Sequence, residues 1–217
     1  METLILNRYS SIFNRYLSEI RDEEIQKDPM RFRHNVERMG ELLAYEASRG
    51  LNYRQRSVQT PLGIANEMDI GEEPVLVSIL RAGLPLHLGV LRMYDRAENG
   101  FISAYRKTEI DGDFVIKVEY LASPSLEGKT VFMIDPMLAT GQSMVLCHEA
   151  ILRQGTPERI ILISLIGSEE GVDYVSRHFP ENTRLYIGAI DPELNSKKYI
   201  VPGLGDAGDL AFGNKLS

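Results

Sequence analysis

The chain has 217 residues, 43% of them hydrophobic and 25% charged, which is the composition of an ordinary globular protein with a core of its own. Its formal net charge of −7 argues against nucleic acid as a partner, because the phosphate backbone attracts basic surfaces, and its single cysteine, Cys147, excludes an intrachain disulfide and a cysteine-rich metal site. No apolar run is long enough to span a bilayer and no secretory signal opens the sequence, so we expect a cytoplasmic protein with no membrane partner.

The first part of the chain is predicted to be mostly helical. Apolar residues recur at helical spacing over residues 12–20 and again over 29–50, where Pro29 is typical of a first helical turn. Residues 58–69 contain a proline and a glycine and are predicted to be irregular or an edge strand.

Beyond residue 74 the pattern changes to short apolar strands that alternate with helices. Strands are predicted over residues 75–80, 101–105, 130–134, 160–166 and 185–190, helices over 85–95, 144–153 and 169–179, and an antiparallel arm over 114–121. This alternation indicates an α/β fold, with a parallel sheet covered by helices on both faces. Ligands of such folds bind at the carboxyl ends of the strands, where four charged residues fall: Arg81, Arg106, Asp135 and Asp191.

The stretch that follows the strand over 130–134 is the most informative in the chain. Asp135 ends the strand, and the loop behind it carries Thr140, Gly141 and Ser143 before the next helix begins. A carboxylate can hold ribose hydroxyls, and loop amides together with the positive end of a helix can hold a phosphate. The pattern therefore predicts a site for a phosphorylated sugar.

Two arginines could neutralise a diphosphate at the same edge of the sheet. Arg81 and Arg106 suit this role because the planar guanidinium binds phosphate oxygens in pairs. Arg106 stands beside Lys107, so a solvated basic corner is the alternative for that residue. Arg81 is followed by an alanine and Gly83, and a glycine there allows the backbone to approach a ligand closely.

The last segment, residues 191–217, is too rich in glycine for a helix or a strand and is predicted to be an ordered functional loop. It contains a G-x-G-x-x-G string over residues 203–208, which matches the fingerprint of dinucleotide-binding proteins. That fingerprint requires a strand before it and a helix and an acid after it. The chain ends too soon for such a unit, and Pro202 interrupts a leading strand, so we reject the match.

Three segments, residues 79–84, 135–141 and 199–209, resemble the signature segments of the uracil phosphoribosyltransferase family and occur in the same order. The resemblance implies a single type I phosphoribosyltransferase domain over 1–217, with N-terminal helices at about 10–50 and, at about 74–217, a parallel-sheet core, a small β-arm and a C-terminal hood. It implies the pyrimidine salvage reaction uracil + 5-phosphoribosyl 1-diphosphate → UMP + diphosphate, with Mg²⁺ bound to the donor and not ligated directly by the protein. It also implies a homodimer or larger homo-oligomer, and some relatives have GTP as an effector.

The resemblance also assigns residues to roles. The catalytic residues it implies are Arg81, Arg106, Asp135 and Asp206. The donor-binding residues it implies are Arg81, Arg106, Asp135, Pro136, Met137, Leu138, Ala139, Thr140, Gly141, Gln142, Ser143 and Asp206. The uracil-binding residues it implies are Ile200, Gly205, Asp206 and Ala207, largely through their backbone groups. Backbone amides and carbonyls can match the two carbonyls and the N–H of uracil, whereas cytosine would leave buried groups unpaired.

One position departs from the family, which usually has glycine where this chain has Gln142. A positive φ at this position would strain glutamine, whereas a site that uses only the amide would tolerate it, and we favour the second case. Three other functions stay open. They are a phosphoribosyltransferase for another base such as orotate, whose carboxylate Lys197 and Lys198 could bind, a pyrimidine-responsive RNA-binding regulator on the same fold, and a catalytically silent nucleotide-binding module.

Overall fold

The computed structural model describes the backbone of residues 1–108 and 114–215, and the side chains of residues 1–103 and 118–215. The strands are β1 (Glu2–Ile5), β2 (Tyr53–Thr60), β3 (Gly63–Ile70), β4 (Val75–Leu80), β5 (Glu98–Thr108), β6 (Phe114–Ala122), β7 (Thr130–Ile134), β8 (Met137–Leu138), β9 (Arg159–Ser168), β10 (Arg184–Asp191), β11 (Glu193–Leu194) and β12 (Ile200–Val201). The α-helices are α1 (Ile12–Arg21), α2 (Pro29–Ser48), α3 (Gly83–Met93), α4 (Gln142–Ile151), α5 (Glu169–His178) and α6 (Ala207–Phe212). Within these described ranges, no helix has the length and hydropathy needed to cross a membrane.

The central sheet has eight strands in the order β1-β10-β9-β7-β4-β5-β6, with the short β8 added along β9. Its pairs are parallel apart from β5 and β6, which form the predicted antiparallel arm. The predicted α/β fold is therefore confirmed. The chain builds the sheet outward in opposite directions from β4 and from β7, and ligands of open parallel sheets bind at such a change of direction.

Helices cover both faces of the sheet, as the apolar strands predicted. In β7 the side chains of Phe132 and Ile134 pack into the core with α1, α2, α3 and α6, whereas Val131 and Met133 pack into the core with α4 and α5. All four are fully buried, so the strand has no solvated face. This two-sided burial is what the continuous apolar runs of the sequence reflect.

The structure corrects three expectations. The short edge strand β1 was not predicted from the sequence. Residues 58–69, expected to be irregular or an edge strand, lie in the antiparallel hairpin β2–β3, which among the described residues forms a two-stranded sheet of its own. The glycine-rich end of the chain was predicted to have no helix or strand, yet it contains β11, β12 and α6. α6 begins where it does because the Asp206 carboxylate accepts hydrogen bonds from the Gly208 and Asp209 amides.

Candidate active site

The carboxyl ends of β4 and β7 place two predicted site residues side by side. Ser78 of β4 is in register with Ile134 of β7, so Arg81 and Asp135 leave adjacent strands at the same edge of the sheet. The strand order changes direction between these two strands, and the crevice there is where an α/β sheet binds its ligand. The structure thus places Arg81 and Asp135 at the same edge of the sheet, after adjacent strands.

Asp135 is fixed to the sheet through its backbone. Its amide donates to the Ile163 carbonyl at 3.1 Å, and its carbonyl accepts from Ser164 Oγ at 2.6 Å. Asp135 as a residue is half-buried, and one carboxyl oxygen accepts a hydrogen bond from the Met137 amide at 3.3 Å. Desolvation raises the pKa of Asp135 to about 7, and the Met137 amide opposes this rise only in part. A ligand with hydroxyl donors would favour the ionised form.

The loop over residues 136–143 is attached to β9 along its length. The Pro136 carbonyl accepts hydrogen bonds from the Leu165 and Ile166 amides, both at 3.1 Å, and β8 then pairs with β9. Further on, Ser168 Oγ donates to the Ala139 carbonyl at 2.6 Å. The loop is therefore held in one position before any ligand is present.

The end of this loop forms the amino terminus of α4. Gly141 is the residue that caps the helix, with a left-handed φ of 76°. A Cβ at Gly141 would lie 2.8 Å from the Gly171 carbonyl oxygen of α5, so the position requires glycine for its backbone and for its space. The Thr140 hydroxyl oxygen is 3.4 Å from the Gln142 amide nitrogen, and it accepts a hydrogen bond from that amide in the first turn of the helix, where a phosphate binds most readily.

Gln142 itself has an ordinary backbone. Among the residues the structure describes, Lys198 is the one non-glycine with a positive φ, so Gln142 is not strained. Its side chain is exposed to solvent at the start of α4. These observations support the interpretation that the site uses the backbone amide of Gln142 and not its side chain.

Arg81 is paired with an acid that the sequence did not single out. Its Nη2 atom lies 3.3 Å from Asp209 Oδ1 of α6, and about half of the Arg81 side chain is exposed. The Leu80–Arg81 peptide bond that leads into this turn is cis. Arg106 lies on β5, but its side chain is outside the described residues, so its predicted role stays a prediction.

The segment proposed to bind uracil is held at both ends and open in the middle. Ile200 is buried in the small β11–β12 pair, and Ala207 is buried at the start of α6. Between them Gly205 is exposed, with a φ of 94° and open space where a Cβ would lie. Within the described part of the chain, the amide and carbonyl of Gly205 take part in no hydrogen bond, so both are free for a ligand.

Asp206 lies next to Gly205, and its carboxylate accepts hydrogen bonds from other residues of the chain. Besides capping α6, its Oδ2 atom accepts a hydrogen bond from Lys215 Nζ at 3.0 Å. Burial alone would raise the pKa of Asp206, but Lys215 and the amides of Asp209 and Gly208 outweigh burial and hold the pKa below its ordinary value. Asp206 is therefore an ionised carboxylate at the edge of the candidate site.

Two residues that the sequence placed near the site have other partners. Asp191 does end a strand at the site edge, but its buried carboxylate forms two hydrogen bonds of 2.8 Å with Arg21 and accepts a third from the Gly203 amide. Lys198 Nζ lies 3.5 Å from Glu170 in an exposed ion pair. Sequence reasoning missed Arg21 and Asp209, because no local pattern links Arg21 to a residue 170 positions away or Asp209 to Arg81.

Comparison with known proteins shows the family of the chain. A sequence model of the family described as uracil phosphoribosyltransferase matches residues 10–214. The chain is 49% identical over 216 residues to a uracil phosphoribosyltransferase of Porphyromonas gingivalis, covering all of both chains, and 41% identical over 188 residues to one of Methanothermobacter thermautotrophicus, covering 86% of this chain and 85% of the relative. The solved structure of the AQ2163 protein of Aquifex aeolicus superposes with a TM-score of 0.86 and 29% identity, over 99% of this chain and 100% of that one. The chain belongs to the uracil phosphoribosyltransferase family.

Proposed function

We propose that the protein transfers the phosphoribosyl group of 5-phosphoribosyl 1-diphosphate to uracil, giving UMP and diphosphate. It is a pentosyltransferase of pyrimidine salvage. The observation that carries the proposal is the Arg81–Asp209 pair, which joins the edge that bears Asp135 to the helix that follows the glycine segment. We call Arg81 and residues 135–143 the donor half of the site, and residues 200–207 the acceptor half. The Arg81–Asp209 contact connects the two proposed halves.

The donor half supplies position and charge. The amides at the start of α4 suit the 5-phosphate, and the ionised form of Asp135 suits the ribose hydroxyls. Arg81 is proposed to neutralise the diphosphate as the bond from C1′ to oxygen breaks, and Arg106 is proposed to assist it. Asp135 and the ionised Asp206 favour positive charge that develops on the ribose ring.

The acceptor half selects the base. The free amide and carbonyl of Gly205 support recognition of a ring that presents both acceptors and a donor, as uracil does. N1 of uracil bonds to C1′ on the face opposite the departing diphosphate, and the N1 proton is lost to solvent. Ile200, Asp206 and Ala207 complete the proposed base site.

Mg²⁺ is proposed to bind on the donor. Its preference for phosphate oxygens and water fits the diphosphate, and the carboxylates of Asp135 and Asp206 are the oxygen groups that would hold its water shell. Bound there, the ion would neutralise charge on the leaving group. Activation by GTP, a homodimer or larger oligomer, and a cytoplasmic location are proposals from the family resemblance. Rates with and without GTP and the mass in solution test the first two.

A parallel assay of four bases tests the function. The protein is incubated with Mg²⁺ and 5-phosphoribosyl 1-diphosphate plus uracil, cytosine, orotate or hypoxanthine, and the nucleotide formed is identified. We expect UMP from uracil and no product from the other three. A nucleotide from orotate would support the alternative base, and a shift of RNA in a gel at physiological salt, without UMP formation, would support the regulator.

A further inference from the structure

We propose that the two N-terminal helices position the uracil segment, through Arg21 at the end of α1 and Arg33 on α2. Both are positioning residues: they lie outside the site and bind backbone groups of the C-terminal segment, at Gly203 and Ala211. The inference rests on the proposed function for its kinetic consequence, but the contacts that carry it do not depend on that function.

Arg21 and Asp191 together hold both backbone groups of Gly203. Asp191 Oδ2 accepts a hydrogen bond from the Gly203 amide at 2.9 Å, and Arg21 Nη1 donates to the Gly203 carbonyl at 3.2 Å. The guanidinium and the carboxylate meet through two parallel hydrogen bonds of 2.8 Å. Arg21 is 21% exposed and Asp191 is 8% exposed, so this charge-assisted contact is largely shielded from solvent and is strong.

The placement of Arg21 follows from the core. α1 buries Phe13, Leu17 and Ile20 against the sheet. A Cβ at Gly188 of β10 would lie 2.6 Å from the Phe13 ring, so the helix rests directly on the strand that ends at Asp191. A helix packed this closely holds its last residue, Arg21, at a fixed distance from that strand end.

Arg33 holds the other side of the segment. Its Nη1 atom donates to the Ala211 carbonyl at 2.7 Å, near the last turn of α6. Carbonyls at the end of a helix lack partners within the helix, and a cation there also interacts favourably with the negative end of the helix dipole. Ala207 and Ala211 of α6 pack into the same core as α2. α6 is thus attached to the N-terminal helices by one polar contact and an apolar face.

Gly205 lies between these two attachments, and its own amide and carbonyl take part in no hydrogen bond within the described residues. Its φ of 94° and the open space around it leave the peptide groups free to turn if either attachment is lost. The donor loop is attached separately, to β9 through the Pro136 carbonyl. Loss of Arg21 or Arg33 should therefore weaken uracil binding more than donor binding.

The test compares Arg21→Ala, Arg21→Lys and Arg33→Ala with Arg15→Ala, a control on α1 that is 70% exposed and faces Glu19. We expect Arg21→Ala to raise KM for uracil about tenfold, the value of one charge-assisted hydrogen bond, with KM for the donor changed less than about twofold. The KM for uracil in Arg21→Lys should fall between those of Arg21→Ala and the parent protein. Arg33→Ala should raise KM for uracil more than KM for the donor, and Arg15→Ala should change neither constant. Equal rises in both KM values, or no rise in Arg21→Ala and Arg33→Ala, would overturn the proposal.

Hydrogen exchange of the parent protein and the same variants separates this proposal from the proposed function. The Gly203 amide should exchange faster in Arg21→Ala than in Arg15→Ala, whether or not UMP is formed. Unchanged exchange at Gly203 overturns the positioning role. Faster exchange in a protein that makes no UMP keeps the attachment and overturns the function. If Arg21→Ala does not fold, the same measurements on Arg21→Lys and Arg33→Ala test the positioning role and the proposed function.

Discussion

Arg81 Nη2 lies 3.3 Å from Asp209 Oδ1, so the guanidinium proposed to bind the diphosphate is paired with an acid of α6. Both side chains keep access to solvent, which makes the pair weak enough to be exchanged for a phosphate. A diphosphate that binds Arg81 through this Nη2 atom would displace Asp209 from it. The donor and Asp209 therefore compete for the same cation.

Removing the competitor should favour the donor. We expect Asp209→Asn to lower KM for 5-phosphoribosyl 1-diphosphate by up to about fivefold, since exposed ion pairs are worth about 0.2–1 kcal/mol. Initial rates at saturating uracil and varied 5-phosphoribosyl 1-diphosphate measure this KM. Asp173→Asn, which breaks an exposed pair with Arg177 on α5, is the matched control and should leave KM unchanged. A rise in KM in Asp209→Asn would mean that Asp209 binds the donor instead of competing with it.

Removing Arg81 should have the opposite and larger effect. We expect Arg81→Ala to lower kcat/KM by about 10²–10³, the usual loss on removing one electrostatic donor to a transition state. Arg81→Lys should recover part of this loss, because it restores the charge without the planar fork. Near-normal turnover in Arg81→Ala would exclude Arg81 from the site. Arg177→Ala is the control for loss of an exposed arginine.

The pKa of Asp135, about 7 because of desolvation, predicts that donor binding depends on pH. Ribose hydroxyls favour the ionised carboxyl, so the group has to lose a proton before it binds at lower pH. We expect KM for the donor to rise as pH falls from about 8 to about 6, and we expect a smaller rise in Asp135→Asn. Equal pH profiles in the two proteins would contradict this role for the carboxyl.

The same pKa predicts how stability depends on pH. The folded pKa of Asp135 lies above the ordinary carboxyl value, so between about pH 4 and about pH 7 the folded chain binds more protons at this residue than the unfolded chain. Its contribution to the free energy of unfolding is therefore present at acid pH and is lost as pH rises through this window. Denaturant titrations at several pH values should show that the free energy of unfolding declines as pH rises through this window, and that the decline is weaker in Asp135→Asn than in the parent protein.

Gly141 provides a test of the donor loop. Gly141→Ala combines a left-handed backbone, which costs about 1–2 kcal/mol, with a contact of 2.8 Å between Cβ and the Gly171 carbonyl oxygen. Gly128→Ala has a similar φ, 68°, but nothing within 4 Å of the added Cβ. We expect Gly141→Ala to lose more free energy of unfolding than Gly128→Ala, and to raise KM for the donor. Equal losses in the two variants would show that the contact relaxes without cost.

Gln142 should be replaceable. In Gln142→Gly the amide is retained and only an exposed side chain is lost, so we expect KM for the donor to stay within about twofold and the free energy of unfolding to fall by at most about 1 kcal/mol. A larger rise in KM would show that the side-chain amide binds the donor. Gln154→Gly, in an exposed turn after α4, is a control for loss of a glutamine side chain.

The sequence predicted the parts of the fold that have a strong local pattern. The apolar run of β7 and the acid behind it were sufficient to place Asp135 at the edge of a parallel sheet. α6 was missed because its composition argues against a helix, and its start depends on the side chain of Asp206. The Arg21–Asp191 contact was missed for a different reason: it joins residues that only the folded chain brings together.

The attachment of the donor loop to β9 has a consequence for how specificity can change. The Pro136 and Ala139 carbonyls bind β9 and Ser168 in the interior, and none of these contacts involves the chain after β10. Substitutions in residues 192–205 can therefore alter the choice of base while the sugar-phosphate half keeps its geometry. A protein divided in this way can be selected, in the laboratory or in nature, for a new acceptor without first losing its donor.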